Sequence, residues 1–197
     1  MYRLIFIFWG IAVFSVLILI LWVLWDKGYE SPRVRAGKEG EKEATEIIKR
    51  VLRENDILLT NVRIQYKEKE TELDNVIINN RGVFIIEVKN YSGVLIGGEN
   101  DYEWTKYKVS RGGNTYEKQV RNPIKQVKRQ VYILSRFLKY YGINVWIDGY
   151  VLLLNRNGPV DSSLILESYE QINEAIHKRQ QKEMNKKTVL AIKELLM

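Results

Sequence analysis

The chain contains no cysteine and a single histidine, His177, among its 197 residues. Thiolate nucleophiles, structural zinc clusters and any centre that needs two histidines are thereby excluded. Ser/His/Asp hydrolysis is disfavoured too, because no serine stands in a nucleophile-elbow context. His177 itself lies in a polar C-terminal segment and is expected at the surface. Proline is sparse, at three residues, and each falls at a boundary: Pro32 in a linker, Pro123 at a helix start, Pro159 in a turn. Internal repeats and low-complexity tracts are absent. The lack of cysteine agrees with a cytoplasmic setting without deciding it.

Charge is missing from one long stretch. Leu4 to Trp25 is an uncharged, strongly apolar run of twenty-two residues, long enough to cross a bilayer as a helix. Trp9, Trp22 and Trp25 stand in it as interfacial aromatics tend to. The run is too long for a cleaved signal peptide, and no small-residue cleavage pattern follows it. Lys27, Arg33, Arg35 and Lys38 follow the span closely, against Arg3 and the amino terminus before it. The positive-inside rule therefore predicts a single-pass anchor in the cell membrane with the remaining domain in the cytoplasm. Residues 26–36, with Gly28 and Pro32, read as a linker. Arg3 and Asp26 cancel over residues 1–26, so the net charge of +7 belongs to the rest of the chain. A basic domain of this size holds one sizeable core and is biased towards nucleic acid or anionic lipid.

Of the twenty-four acidic residues, only Glu87 stands two places before a lysine, Lys89. The pair ends the strand-like run Val83-Phe84-Ile85-Ile86. Alternation puts Glu87 and Lys89 on one face and Phe84, Ile86 and Val88 on the other. A charged pair inside a sheet is costly unless it holds a metal or does chemistry. Thr71 to Ile78 reads as a partner strand, joined through Asn79-Asn80-Arg81-Gly82 in an antiparallel hairpin that brings Asp74 close. Two carboxylates beside one lysine suit a hard divalent cation such as Mg²⁺. An ordinary ion pair at a strand end is the alternative that spacing alone leaves open.

Upstream, Gly37 to Glu41 opens a helix on which Ala44, Ile47, Ile48, Val51 and Leu52 form the apolar stripe. Glu41 lies on that stripe, in what reads as the first turn, where a carboxylate gains from the helix dipole. Asn122-Pro123 starts a second helix. Ile124, Val127, Val131, Leu134, Leu138 and Tyr141 form its stripe, and Gly142 ends it. Gln126 and Gln130 flank the stripe and face the expected pocket, while Lys125, Lys128, Arg129 and Arg136 give a basic flank. Val94 to Ile96 and Glu103 to Val109 read as strands, followed by a turn at Arg111 to Asn114. The mixture of Lys106, Tyr107, Lys108, Arg111, Tyr116 and Lys118 suits phosphate contact and base stacking, or a solvated edge. Val145 to Leu154 is almost wholly apolar and reads as a central strand covered on both faces. Leu164 to Leu166 adds a short strand, and helices near Tyr169 to Gln181 and Lys187 to Leu196 read as a peripheral cap.

Gly37-x-x-Gly40-Glu41, Glu72-Leu73-Asp74, Gly82 to Asn90 with Gly93, Trp104 and Asn122-Pro123-x-x-Gln126, in this order, resemble the NERD or nuclease-related domain, a branch of the PD-(D/E)xK nuclease superfamily. The resemblance runs from about Gly37 to Asn155. It implies an α/β fold, a restriction-endonuclease-like mixed β-sheet flanked by helices, here preceded by a single transmembrane helix. It also implies a phosphodiesterase core in which Asp74 and Glu87, with Val88, hold Mg²⁺ or Mn²⁺. Lys89 would position the attacking water or stabilise the phosphorane-like state, and Glu41 would assist from the first helix. Gln126, Gln130, Lys125 and Arg129 would contact substrate, with DNA expected ahead of RNA. The implied organisation is a span at 4–25, a linker at 26–36, the nuclease-like domain at 37–158 and a mainly helical extension at 159–197. A membrane-tethered binding or scaffold domain without catalysis is the rival from another class. An interfacial enzyme on another phosphodiester is a third.

Overall fold

The computed structural model describes residues 14–22, 31–110, 112–155, 160, 162–178 and 183–197. The chain divides into two compact units, Met1–Ala36 and Gly37–Met197. In the first, residues 14–22 are helical, and their apolar side chains, Leu17 and Trp22 among them, are exposed. Among the described residues no helix is long and apolar enough to cross a membrane. Residues 4–13 and 23–25 of the expected span, and residues 26–30 of the expected linker, lie outside the described residues.

The second unit is built on a five-stranded sheet in the order β1-β2-β3-β7-β8. Strands β1 (Ile57–Tyr66), β2 (Lys69–Asn79) and β3 (Gly82–Lys89) form an antiparallel meander. Strands β7 (Ile147–Leu153) and β8 (Ile165–Leu166) then add in parallel to β3. The result is a mixed α/β sheet flanked by helices, and β7 sits between neighbours as its almost wholly apolar run predicts. The β2–β3 turn closes with Asn79 opposite Gly82. There the Asn79 Oδ1 accepts the Arg81 amide at 2.8 Å, the local bond that makes asparagine a turn former.

One face of the sheet packs Ile77, Phe84, Ile86, Val88 and Leu152 against Ala44 and Ile48 of α1 (Pro32–Lys49) and Ile172 and Ile176 of α3 (Tyr169–His177). The opposite face packs Val83, Ile85 and Val151 against α2 (Pro123–Tyr140) and α4 (Lys186–Leu196). Helices α3 and α4 therefore complete the two cores rather than forming a peripheral cap, since Ile172, Ile176 and Ile192 are fully buried. Helix α1 also begins earlier than Gly37, at Pro32, and ends before Val51 and Leu52. Glu41 is thus the tenth helical residue, too far from the N-terminus to gain from the dipole.

Helix α2 starts as its sequence dictates. The Asn122 side chain accepts the Ile124 amide at 2.9 Å, with Pro123 at the first position. The Asn122 Nδ2 also donates to the carbonyls of Glu99 and Asp101, at 3.0 and 2.8 Å, so one buried amide caps the helix and pins the preceding loop. That loop belongs to a second, three-stranded sheet of β4 (Val94–Ile96), β5 (Glu103–Val109) and β6 (Thr115–Arg121). Trp104 of β5 is fully buried and allows no side chain at Gly97, where a Cβ would lie 2.2 Å from its ring.

Candidate functional site

The chemistry gathers where β2 parts from β3. The β2–β3 ladder ends at Asn75 opposite Ile86. One residue further, the Asp74 Oδ2 accepts the Val88 amide at 2.8 Å, so a side chain replaces the main-chain partner that the diverging strand withdraws. The divergence has a local cause. Before Asn61, Ile57 and Leu59 of β1 pack towards the α2 face; beyond it Val62 and Ile64 do, so the inward parity changes. Asn61 adopts the left-handed conformation at φ 52°, which asparagine tolerates. On β2 the parity changes across Asp74 as well, with Val76 and Ile78 on one side and Leu73 on the other all reaching the α2 core. The hairpin thereby curls over α2, and Asp74 is left at the fork.

Glu87 sits beneath this fork with 2% of its side chain exposed. Its Oε1 accepts the Lys89 ammonium and the Gln126 amide, the latter at 2.5 Å. Its Oε2 accepts the Gln130 amide at 2.6 Å. Gln130 Nε2 also donates to the Glu72 carbonyl at 3.0 Å, which ties the curled hairpin to α2, while its Oε1 is buried without a partner. Gln130 is 1% exposed, so it stands inside the layer rather than beside the apolar stripe.

The electrostatics record an excess of negative charge. Burial and the neighbouring Glu87 carboxylate push the Asp74 carboxyl up to about 7, against opposing pulls from the Val88 amide and Lys89. For Lys89, burial works against the ammonium, but Glu87 prevails and its pKa rises. Glu41 lies further off and adds a smaller upward push on Asp74. Its helix is brought close at Gly40, where a Cβ would lie 2.7 Å from the Asn90 Cβ, just beyond Lys89. Among the described residues no group of three or more His, Cys, Asp or Glu side chains is placed to hold a metal ion.

Even so, the donor set fits a cation. Two carboxylates meet a single ammonium, with an orphaned Oε1 on the Gln130 amide that holds Glu87, and oxygen donors are what Mg²⁺ or Mn²⁺ takes. Asp74 and Glu87 are the residues that would hold it. Val88 enters through its amide, which holds Asp74 in place.

Asp74 and Glu41 open onto a cleft of about 950 Å³ lined also by Lys125, Gln126, Arg129 and Arg121. They border a second hollow of about 530 Å³ between α1 and the β1–β2 hairpin. Lys125 and Arg129 are exposed, the former 5.6 Å from the Tyr102 ring and the latter donating to the Glu70 carbonyl at 3.4 Å. Lys128 instead pairs with Glu99 at 2.7 Å and is directed away from this role. The Lys106, Tyr107, Lys108, Tyr116 and Lys118 group belongs to the β5–β6 ladder of the small sheet, and Arg111 lies outside the described residues. Sequence reasoning missed Arg121 and Tyr102 as cleft walls. It also missed the Thr45–Asn75 bond of 3.0 Å behind Asp74, although an asparagine inside a strand was a visible signal.

His177 is not at the surface. Its side chain is 5% exposed, and its Nε2 lies 2.8 Å from the Asp56 Oδ2. Helix α3 stops there instead of continuing to Gln181, and its final turn closes over the loop before β1.

A model of the family described as "Nuclease-related domain" matches residues 36–154, more than half of the chain. An uncharacterized protein of Bacillus anthracis is 29% identical over 107 residues, which are 52% of this chain and 48% of that protein. The chain thus spans about half the length of that relative. No solved structure matches.

Proposed function

The chain belongs to the nuclease-related domain family, and from that premise we propose that it is a divalent-metal-dependent nuclease of restriction-endonuclease-like fold, anchored in the membrane by its apolar N-terminus. Family membership implies divalent metal use and contact with nucleic acid; Mg²⁺ or Mn²⁺, DNA ahead of RNA, and a cytoplasmic face are the finer parts of the proposal. The observation that carries it is the meeting of Asp74, Glu87 and Lys89 at the β2–β3 fork, against a cleft walled by Lys125 and Arg129.

Asp74 and Glu87 would hold the divalent ion, which would supply charge neutralisation at the phosphate and activation of water at neutral pH. The rest falls to this chain. Gln126 and Gln130 fix the Glu87 carboxylate in one orientation. Lys89, kept cationic by Glu87, presents an ammonium to the phosphate or to the attacking water. Asp74, poised to gain or lose a proton near neutrality, would hold the cation on its deprotonated carboxylate. Lys125 and Arg129 hold flanking phosphates, and Glu41 assists from across the cleft.

One observation favours the rival reading of a tethered binding domain. The Glu87 carboxylate already accepts three donors, leaving little of it for a metal. Cleavage by the full-length chain in detergent separates the two readings. With Mg²⁺, Mn²⁺ or EDTA, it is tested on plasmid, linear duplex, single-stranded DNA and RNA. Metal-dependent cutting that Glu87→Ala and Lys89→Ala both abolish supports the nuclease. DNA binding without metal and without cutting supports the rival.

A further inference from the structure

The cleft at the fork does not end at Arg129. A further hollow of about 640 Å³ follows, lined by Lys67, Glu68 and Lys69 of the β1–β2 hairpin and by Tyr132 and Arg136 of α2. The two are neighbours along both walls. Glu70 and Arg129 line the first and are joined to each other, while Lys69 and Tyr132 line the second. Tyr132 is 47% exposed, and two cations already lie over its ring. The Lys69 Nζ lies 5.0 Å and the Arg136 Cζ 5.5 Å from its centroid, and Lys67 lies 5.7 Å from the Tyr66 ring. Such contacts hold flexible cations in place ahead of any ligand. A hydrogen bond from Arg136, and the fields of Arg136, Lys69 and Lys67, draw the Tyr132 hydroxyl below its usual range.

We propose that this hollow is a phosphate track, in which Lys69 and Arg136, braced on Tyr132, bind the nucleic-acid backbone several nucleotides away from the bond at the Asp74–Glu87 fork. The proposal rests on the nuclease reading and adds to it the direction in which substrate leaves the site. From Lys125 to Arg136 the helix advances roughly 16 Å at 1.5 Å per residue. That distance matches about five phosphates at 3.4 Å along one strand of a duplex. Cations held on a ring attract phosphate without reading bases, so the track carries no sequence preference.

The test uses the full-length chain in detergent with EDTA, and fluorescent single-stranded DNA of about two and about sixteen nucleotides, since a dinucleotide has one internal phosphate and cannot occupy the fork and the track together. Lys69→Gln with Arg136→Gln is expected to weaken the long oligonucleotide about tenfold or more and to leave the short one unchanged. The salt slope for the long one should fall by roughly 1.4, near 0.7 for each single-strand phosphate lost. Lys186→Gln with Lys187→Gln, exposed at the start of α4, removes the same net charge and is expected to change neither.

Equal loss from both pairs of substitutions, or equal loss on both lengths, would overturn the track while leaving the nuclease reading intact. So would loss of binding to anionic lipid vesicles in place of DNA. Failure of the unsubstituted chain to bind the long oligonucleotide in EDTA would overturn the track alone; failure to cut nucleic acid with metal would remove the nuclease reading, and the track with it.

Discussion

Two buried acid–base pairs lie on the sheet unit, and they end differently. At one, Asp56 accepts the Arg53 amide and His177 Nε2, both at 2.8 Å, while the other ring nitrogen meets Asn173. Both side chains are 5% exposed, and the Asp56 Oδ2 and both ring nitrogens of His177 have partners. At the other, Lys89 answers Glu87, but Asp74 is left with a carboxyl pushed up to about 7 and Gln130 with a bare Oε1. Burial of ionisable side chains is common to both. Only the second sets two carboxylates against one ammonium, and that surplus of acid is what separates a site from a clasp.

Substitutions should widen that contrast. The largest effect is expected for Glu87→Ala, where cleavage falls on the order of a thousandfold, the scale of losing a major electrostatic group. The same change strands a buried ammonium and should cost about 3 kcal/mol of stability in urea titration. Lys89→Ala should match it in activity. Disrupting the other pair with Asp56→Ala should cost about 1–3 kcal/mol of stability, with kcat of the folded fraction unchanged. A loss of kcat there would erase the distinction drawn between the two pairs.

A pH series sharpens the comparison further. Asp74 binds its proton more tightly folded than unfolded, so the metal-free protein is most stable below about pH 4 with respect to this group. That contribution is lost as pH rises towards about 7, because the folded state must then give up or strain to keep a proton the unfolded chain has already released. Asp74→Asn should flatten this part of the curve and raise metal-free stability at pH 8, as read by thermal melts. The smallest effect is expected for Gln130→Leu, which removes the orphaned oxygen and two donated bonds together. A stability change of about 1 kcal/mol and a several-fold loss of kcat would fit its place as a brace on Glu87.

Much of this site could be read along the chain because it sits on short, regular pieces. Glu87 and Lys89 share a face by strand alternation alone, and the Asn79–Gly82 turn fixes which strand answers them. Asn122-Pro123 announced α2 at its first residue. What stayed hidden depends on packing between distant segments. The fork at Asp74 arises from a left-handed Asn61 on another strand. Gln130 looked like a flank of the stripe, yet the curled hairpin supplies the Glu72 carbonyl that lets an amide be buried there. Strand β6 was missed because most of its side chains are exposed, so Thr115 to Arg121 shows no apolar face. His177 was misplaced for the converse reason: a polar neighbourhood in sequence is covered by the loop carrying Asp56.

The most direct test is calorimetric titration of Mn²⁺ into the full-length protein and its Asp74→Asn variant, at pH 6 and pH 8. One site is expected in the unsubstituted chain, tighter at pH 8 with proton release at pH 6, and absent from a variant whose metal-free fold is at least as stable. Equal Mn²⁺ binding by both proteins, or none by either, would contradict the claim that the fork carries negative charge awaiting a cation.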